Sequence, residues 1–234
     1  MKDQRKMLFW LFKRANALPR ANVRIALLVA LLFLAAIPIT STSYELARDT
    51  TATKDLIVDQ WPDNALTLEN LGHATLLMNF FGVRVISDPT LFNRVGVSLD
   101  SILTIGPRRL VAPVLPPDRL QTVKVILITH AHMDHLDLPS LKALPKSAIV
   151  VACAGCSALI QPLGFRDVRE LNWGEQTTVE GLTISAMGAR HWGKRFPPFG
   201  RDYGFNSYIL EKDGHRMLLA CDSAATDLFA ALAA

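Results

Sequence analysis

Sulfur is scarce in this 234-residue sequence, which holds only three cysteines, Cys153, Cys156 and Cys221. So small and odd a set excludes a disulfide framework. Cys153 and Cys156 have CxxC spacing, but no second pair completes a four-sulfur zinc site. The expected reading is two small, semi-buried residues at a strand-to-helix turn, with a reversible redox pair as the alternative. A G-x-S-x-G elbow and a P-loop lysine motif are also missing, so neither a serine nucleophile nor a phosphate-cradling loop has support. There is no repeat and no low-complexity tract. Long apolar runs are few. The uncharged stretch 25–39, IALLVALLFLAAIPI, has 15 residues, where a bilayer core needs roughly 20.

A strong excess of one charge sign is missing from most of the chain. Residues 1–24 carry seven of the 25 basic residues and one acid, and the remainder has eighteen basic against twenty acidic residues. The sequence pI near 9.1 therefore reflects the N-terminus. With no basic stripe in the remainder, no nucleic-acid partner is expected. Extending 25–39 through the uncharged residues to Tyr44 reaches spanning length. A single-pass transmembrane helix or signal anchor is thus expected over 25–44, with a cleaved signal peptide as the alternative. The basic segment 1–24 would lie in the cytoplasm and the following domain on the extracytoplasmic side.

A polar linker is expected over 45–63 and a folded domain over 64–234. Three short strands read out of 65–70, 74–80 and 83–87, punctuated by Phe81-Gly82. Residues 91–118, with several prolines, are expected to form an irregular surface excursion. VKVILIT, 123–129, is a continuous apolar run and predicts a strand buried on both faces. A helix over 138–144 follows, with Asp137 as N-cap and Pro139 in its first turn. AIVVA, 148–152, predicts another buried strand, and a helix follows around 155–162. Hairpins are expected at Glu180-Gly181 and at Asp213-Gly214. Strands alternating with helices on mixed sheets point to a layered α/β domain.

What is abundant is histidine in one place. HAHMDH, 130–135, holds three of the chain's six histidines, directly after the apolar run. In an extended segment, positions i and i+2 point the same way, so His130 and His132 can reach one metal together. Asp134 and His135 follow the turn toward the helix and suit a second metal nearby. Imidazole and carboxylate ligands with an open position form the catalytic arrangement of zinc. The carboxyl end of a buried strand is also where α/β sheets place their sites.

THAHMDH matches the HxHxDH signature of the metallo-β-lactamase superfamily. LENLGHATLLMNFFGVRVISDP, THAHMDHLD, ARHWGKR and LLACDSA, in that order, resemble the branch containing N-acyl-phosphatidylethanolamine-hydrolysing phospholipase D and the L-ascorbate-6-phosphate lactonases. The resemblance implies a metallo-β-lactamase-like αββα sandwich, its C-terminal half incomplete, preceded by the N-terminal membrane helix. It implies two zinc ions, with His130, His132 and His191 on the first, Asp134 and His135 on the second, and Asp222 between them. It also implies that Asp88 orients nearby ligands and that His73 lies near the mouth of the site, Asp134, His73 and Asp88 being the catalytic candidates. Duller readings stand beside these: His191 as a loop histidine against Trp192, Asp222 as a strand-end cap, and His73 satisfying its own hairpin.

Cys221 and Ser223 flank Asp222 where the family usually has glycine and threonine. A further downstream histidine of the family pattern has no counterpart in the 12 residues after Asp222. The activity implied is a metal-activated water attacking a phosphodiester, with a small-molecule or lipid substrate such as an N-acyl-phosphatidylethanolamine-like phospholipid, at a membrane. A lactonase, or a non-catalytic zinc-binding membrane protein, is the alternative. Arg190, Lys194 and Arg195 surround His191 and could meet a phosphate; read as plain surface charge, they need no explanation.

Overall fold

The computed structural model of the protein describes residues 44–46, 58–99, 103–195 and 201–232. The apolar run at 123–129 becomes β7 (Val125–Ile128), with all four residues fully buried. Full burial of such a side chain is worth about 1.5–3 kcal/mol, so this run can sit only at the centre of a sheet. It does so in a six-stranded mixed sheet ordered β2 (Leu66–Gly72), β3 (Thr75–Phe80), β4 (Val83–Ser87), β7, β8 (Ile149–Cys153), β9 (Asp167–Leu171). The first three strands form antiparallel hairpins, and β4, β7, β8 and β9 run parallel.

Successive residues along these strands point to opposite faces, and the core divides accordingly. Leu77, Ile86, Ile126, Ile128 and Val150 pack on one face with Leu141 of α1 (Leu138–Ala143) and Ile160 of α2 (Ser157–Ile160). Met78, Val85, Val125, Leu127 and Val151 pack on the other, against Leu182, Ile184, Tyr208 and Leu210 of a second sheet. That sheet is antiparallel, ordered β10 (Gln176–Val179), β11 (Leu182–Met187), β12 (Ser207–Lys212), β13 (His215–Leu219). Tyr208, fully buried between the sheets, donates its hydroxyl to the Ile128 carbonyl at 2.9 Å. The helix, sheet, sheet layering is the mixed α/β arrangement expected. Among the described residues both α-helices lie on the same side.

Asp213-Gly214 and Glu180-Gly181 close hairpins with positive φ at both central positions, the geometry that matches strand twist. Asp137 caps α1 by accepting from Ser140 N at 3.1 Å. The stretch 91–118 departs from expectation. It contains β5 (Val97–Leu99) and β6 (Leu103–Ile105); β6 pairs with β5 on one side and with β1 (Tyr44–Leu46) on the other in a separate three-stranded sheet. Leu91, Phe92 and Leu115 are buried. Strands of three residues are too short to establish a period, and β1, the second partner of β6, lies far away in the sequence. Strand β9 was equally illegible, because the apolar Val168 and Leu171 of DVREL stand three apart and do not share one face of a strand.

The expectation of a single-pass membrane protein with an extracytoplasmic domain is overturned. Among the described residues no helix is long and apolar enough to cross a membrane. The longer α-helix has six residues, about 9 Å at 1.5 Å per residue, against a hydrocarbon core of about 30 Å. The segment 25–44, on which that expectation rested, lies almost wholly outside the described residues.

Candidate metal centre

Strand β7 delivers His130 to the carboxyl end of the sheet. Asn206 N donates to Thr129 O at 2.8 Å and His130 bridges Phe205, so this strand end is pinned to the entry of β12. Two residues on, His132 Nδ1 lies 2.8 Å from His130 Nε2. The chain then turns: His135 N and Leu136 N both donate to His132 O, at 3.1 and 2.8 Å. The turn brings Asp134 and His135 round into a second group beside the first, with the His135 ring 4.0 Å from that of His130.

The third imidazole comes from the loop after β11. His191 Nε2 is 3.3 Å from His132 Nδ1, and its ring centroid is 4.4 Å from that of His130. The loop is held by close backbone approach. A Cβ on Gly193 would lie 1.8 Å from Tyr203 O, so only glycine lets these segments meet, and Tyr203 N donates to Gly193 O at 3.0 Å. Trp192, largely exposed, sets its ring edge-on against His132 at 4.3 Å.

A second group of ligand-type atoms lies beside the first. His135 Nε2 is 3.1 Å from Asp222 Oδ2 and 3.7 Å from Asp134 Oδ2. His73 Nε2 hydrogen-bonds Asp134 Oδ2 at 3.2 Å. The His130 and His135 rings are 4.0 Å apart, so the two groups share a wall.

Asp88 organises this wall from behind. Its Oδ1 accepts Thr129 N at 2.8 Å, and its Oδ2 accepts Thr129 Oγ1 at 2.7 Å. The same Oδ2 stands 2.8 Å from His135 Nδ1 and accepts Cys221 Sγ at 3.2 Å. The carboxylate only accepts, so His135 carries its proton on Nδ1 and turns Nε2 inward. Thr129 spends its single hydroxyl proton on Asp88, so it accepts from His130 Nδ1 at 3.0 Å. That leaves the inward Nε2 of His130 with a lone pair. Asp88 and Cys221 both hold positive φ, 42° and 54°, a conformation that non-glycine residues keep only where the surroundings over-determine it.

The electrostatics follow from burial and crowding. Burial, then the charges of His135, His132 and His191, drive His130 down to about 2, so it stays neutral and ligand-competent. Burial pulls His135 down, but the Asp88 hydrogen bond and the Asp88, Asp134 and Asp222 charges outweigh it and raise it to about 9. Burial pushes Asp134 up, yet the His135 charge and the His73 hydrogen bond hold its carboxyl below the ordinary value. Burial raises the Cys221 thiol further from ionisation, which the Asp88 charge reinforces.

The residues fit a divalent cation. His132 Nδ1 lies 2.8 Å from His130 Nε2 and 3.3 Å from His191 Nε2, so three imidazole nitrogens stand side by side. Tetrahedral coordination by imidazole at 2.0–2.1 Å requires nitrogens about 3.3 Å apart. The ligand-type atoms of His130, His132 and His191 all lie within 4.8 Å of one another, as do those of His130, His135 and Cys221. Cys221 is the weaker candidate, since its sulfur is engaged by Asp88 and by Thr129 Oγ1 at 2.8 Å.

All eight residues singled out in the sequence, His73, Asp88, His130, His132, Asp134, His135, His191 and Asp222, come together at this end of the sheets. Sequence reasoning passed over Thr129 and noted Cys221 only as a departure beside Asp222, although each adjoins a predicted residue. It also misassigned Arg195. This side chain is 7% exposed and turned inward, while Arg190 Nη1 is engaged by Ala225 O at 3.1 Å.

A family model described as the Beta-lactamase superfamily domain matches residues 92–234. Among curated relatives, an uncharacterized protein of Mycobacterium tuberculosis is 33% identical over 135 residues, covering 56% of this chain and 35% of that protein. The N-acyl-phosphatidylethanolamine-hydrolyzing phospholipase D 1 of Caenorhabditis elegans is 29% identical over 138 residues, covering 53% of this chain and 37% of that protein. The matches thus span little more than a third of these relatives' length. Among solved structures, a possible metal-dependent hydrolase from Veillonella parvula superposes with a TM-score of 0.56 at 24% identity, over 71% of this chain and 67% of that one, which shows a shared fold.

Proposed function

Because this chain belongs to the metallo-β-lactamase superfamily, we propose that it is a zinc-dependent hydrolase acting on a phosphodiester. His130, His132 and His191 would hold one ion, and Asp134, His135 and Asp222 a second. The observation that carries this reading is the convergence of His130 Nε2, His132 Nδ1 and His191 Nε2 from two distant parts of the chain. The nitrogen and carboxylate donor set is the one zinc accepts. Two bound ions at such a site supply Lewis acidity, making water a competent nucleophile at neutral pH and offsetting charge on the attacked oxygen.

The chain's own residues supply orientation and proton handling. Asp88 fixes the tautomers of His135 directly and of His130 through Thr129, the outer-shell role that sustains metal affinity. Asp134, kept ionised, stays available as a ligand, and His73 orients it through a hydrogen bond at 3.2 Å. His73 also borders a cavity of about 280 Å³ lined by Val95, Pro107, Arg108, Leu110 and Val111, room for the apolar part of a substrate. The named activity of the C. elegans relative supports a phospholipid of the N-acyl-phosphatidylethanolamine type; a lactone is the alternative within the same chemistry.

The test is metal content by mass spectrometry together with hydrolysis of bis(p-nitrophenyl) phosphate, an N-acyl-phosphatidylethanolamine and a lactone, with His132→Ala as control. Zinc in the protein and metal-dependent phosphodiester cleavage lost in the variant are expected. Cleavage of the lactone alone moves the substrate class, and turnover that survives His132→Ala removes the metal reading.

A further inference from the structure

We propose that Arg195 is a positioning residue: its guanidinium ties the loop carrying His132, Asp134 and His135 to the segment carrying His191, and so sets the metal affinity of the centre. The proposal rests on the metal-site reading above. Arg195 Nη1 donates to Ala131 O at 2.7 Å and to Leu136 O at 2.9 Å. Those two carbonyls bracket the loop, one on each side of its three ligand-type side chains. The loop's own backbone bonds use neither of them, since His135 N and Leu136 N both go to His132 O.

Arg195 lies four residues after His191 on a segment anchored independently. Gly193 abuts Tyr203 and Lys194 bridges Asp202. One guanidinium therefore joins the two sequence regions whose imidazoles must converge. A 7% exposed cation is poorly placed to meet a substrate phosphate. Burying it is costly unless its charge and donors are used, and here Nη1 donates twice to the loop, while the buried carboxylate of Asp137 (2% exposed) offsets the charge. Charge-assisted bonds of this kind are stronger than neutral ones, as a clamp on a ligand loop requires.

Two readouts on the full chain decide this, using Arg195→Met and Arg195→Lys. The first is hydrogen exchange in the metal-free protein, comparing residues 131–137 with strand 149–153 as internal reference. The second is zinc affinity by chelator competition. Arg195→Met is expected to raise exchange in 131–137 about tenfold over the reference and to lower zinc affinity about 10–100-fold, the range for outer-shell partners. Arg195→Lys, with charge and donors but a shorter reach, should fall between; it carries the test if the Met variant does not fold. Unchanged exchange overturns the proposal, as does a uniform rise in both regions, or raised loop exchange with wild-type zinc affinity. A wild type that takes up no zinc sinks the metal-site reading instead, and the exchange ratio then decides the clamp by itself.

Discussion

Asp88 Oδ2 stands 2.8 Å from His135 Nδ1, with both side chains 2% exposed. The two come from the ends of adjacent stretches of the same sheet, β4 and the turn after β7, and each fixes the other. The carboxylate decides which imidazole nitrogen faces the site, and the imidazole supplies part of the hydrogen bonding that lets a charge be buried there.

Removing the carboxylate should therefore cost both stability and metal. Asp88→Ala leaves His135, Thr129 and Cys221 without their shared acceptor. A broken buried pair costs about 3–5 kcal/mol, which urea denaturation of the metal-free protein measures. Zinc affinity of the remaining folded protein should fall by about 10–100-fold.

The pH dependence of the metal-free protein carries a signature of this pair. His135 is raised from 6.5 to about 9 in the folded state. Its contribution is fully present below pH 6.5 and is lost as pH rises toward 9, because the folded chain then gives up a proton that the unfolded chain has already lost. The difference in unfolding free energy between wild type and His135→Asn should shrink across that window. A difference that is constant from pH 6.5 to 9 would show that His135 is not held protonated.

His130 predicts the opposite limb. It is pushed down to about 2 in the folded state, so below pH 6.5 only the unfolded chain takes its proton. Wild type should lose stability relative to His130→Asn as pH falls below 6.5, read by denaturation at pH 7, 6 and 5.

Direct ligand loss should exceed any outer-shell effect. His191→Ala should reduce zinc affinity by more than about 100-fold, beyond the outer-shell range, with the apo melting temperature little changed because His191 is only half-buried. Chelator competition and a thermal melt separate the two.

Gly193→Ala tests how the third imidazole is delivered. Its Cβ would sit 1.8 Å from Tyr203 O, and backbone must move. Overpacking of this kind costs about 1–3 kcal/mol, and the displaced loop should weaken zinc binding as well. Equal zinc affinity in this variant and wild type would show that His191 reaches the site without the Gly193–Tyr203 contact.

Much of the scaffold was legible because it rests on local signals. Val125–Ile128 reads as a central strand from its unbroken apolar run, α1 from Asp137 and Pro139, and the hairpin turns from their glycines. The first metal group was legible in part for the same reason, since alternation along a strand places His130 beside His132. β5, β6 and β9 were not legible, because three residues are too few to establish a period and the apolar Val168 and Leu171 of β9 stand three apart. Arg195 was misread because an arginine beside Arg190 and Lys194 reads as surface charge, and only the folded chain shows two backbone carbonyls around it.

By itself the sequence determined which atoms could act: three imidazoles in one short segment, acids at strand ends, and a family signature. Chemistry of that kind is a property of residue type and short spacing. Tertiary structure alone decided that His191 and Asp222 reach that segment, which nitrogen each imidazole presents, and that Asp88 and Arg195 stand behind the ligands. Those are consequences of contacts between residues distant in the chain, where closure of two packed sheets, and not local geometry, sets the distances.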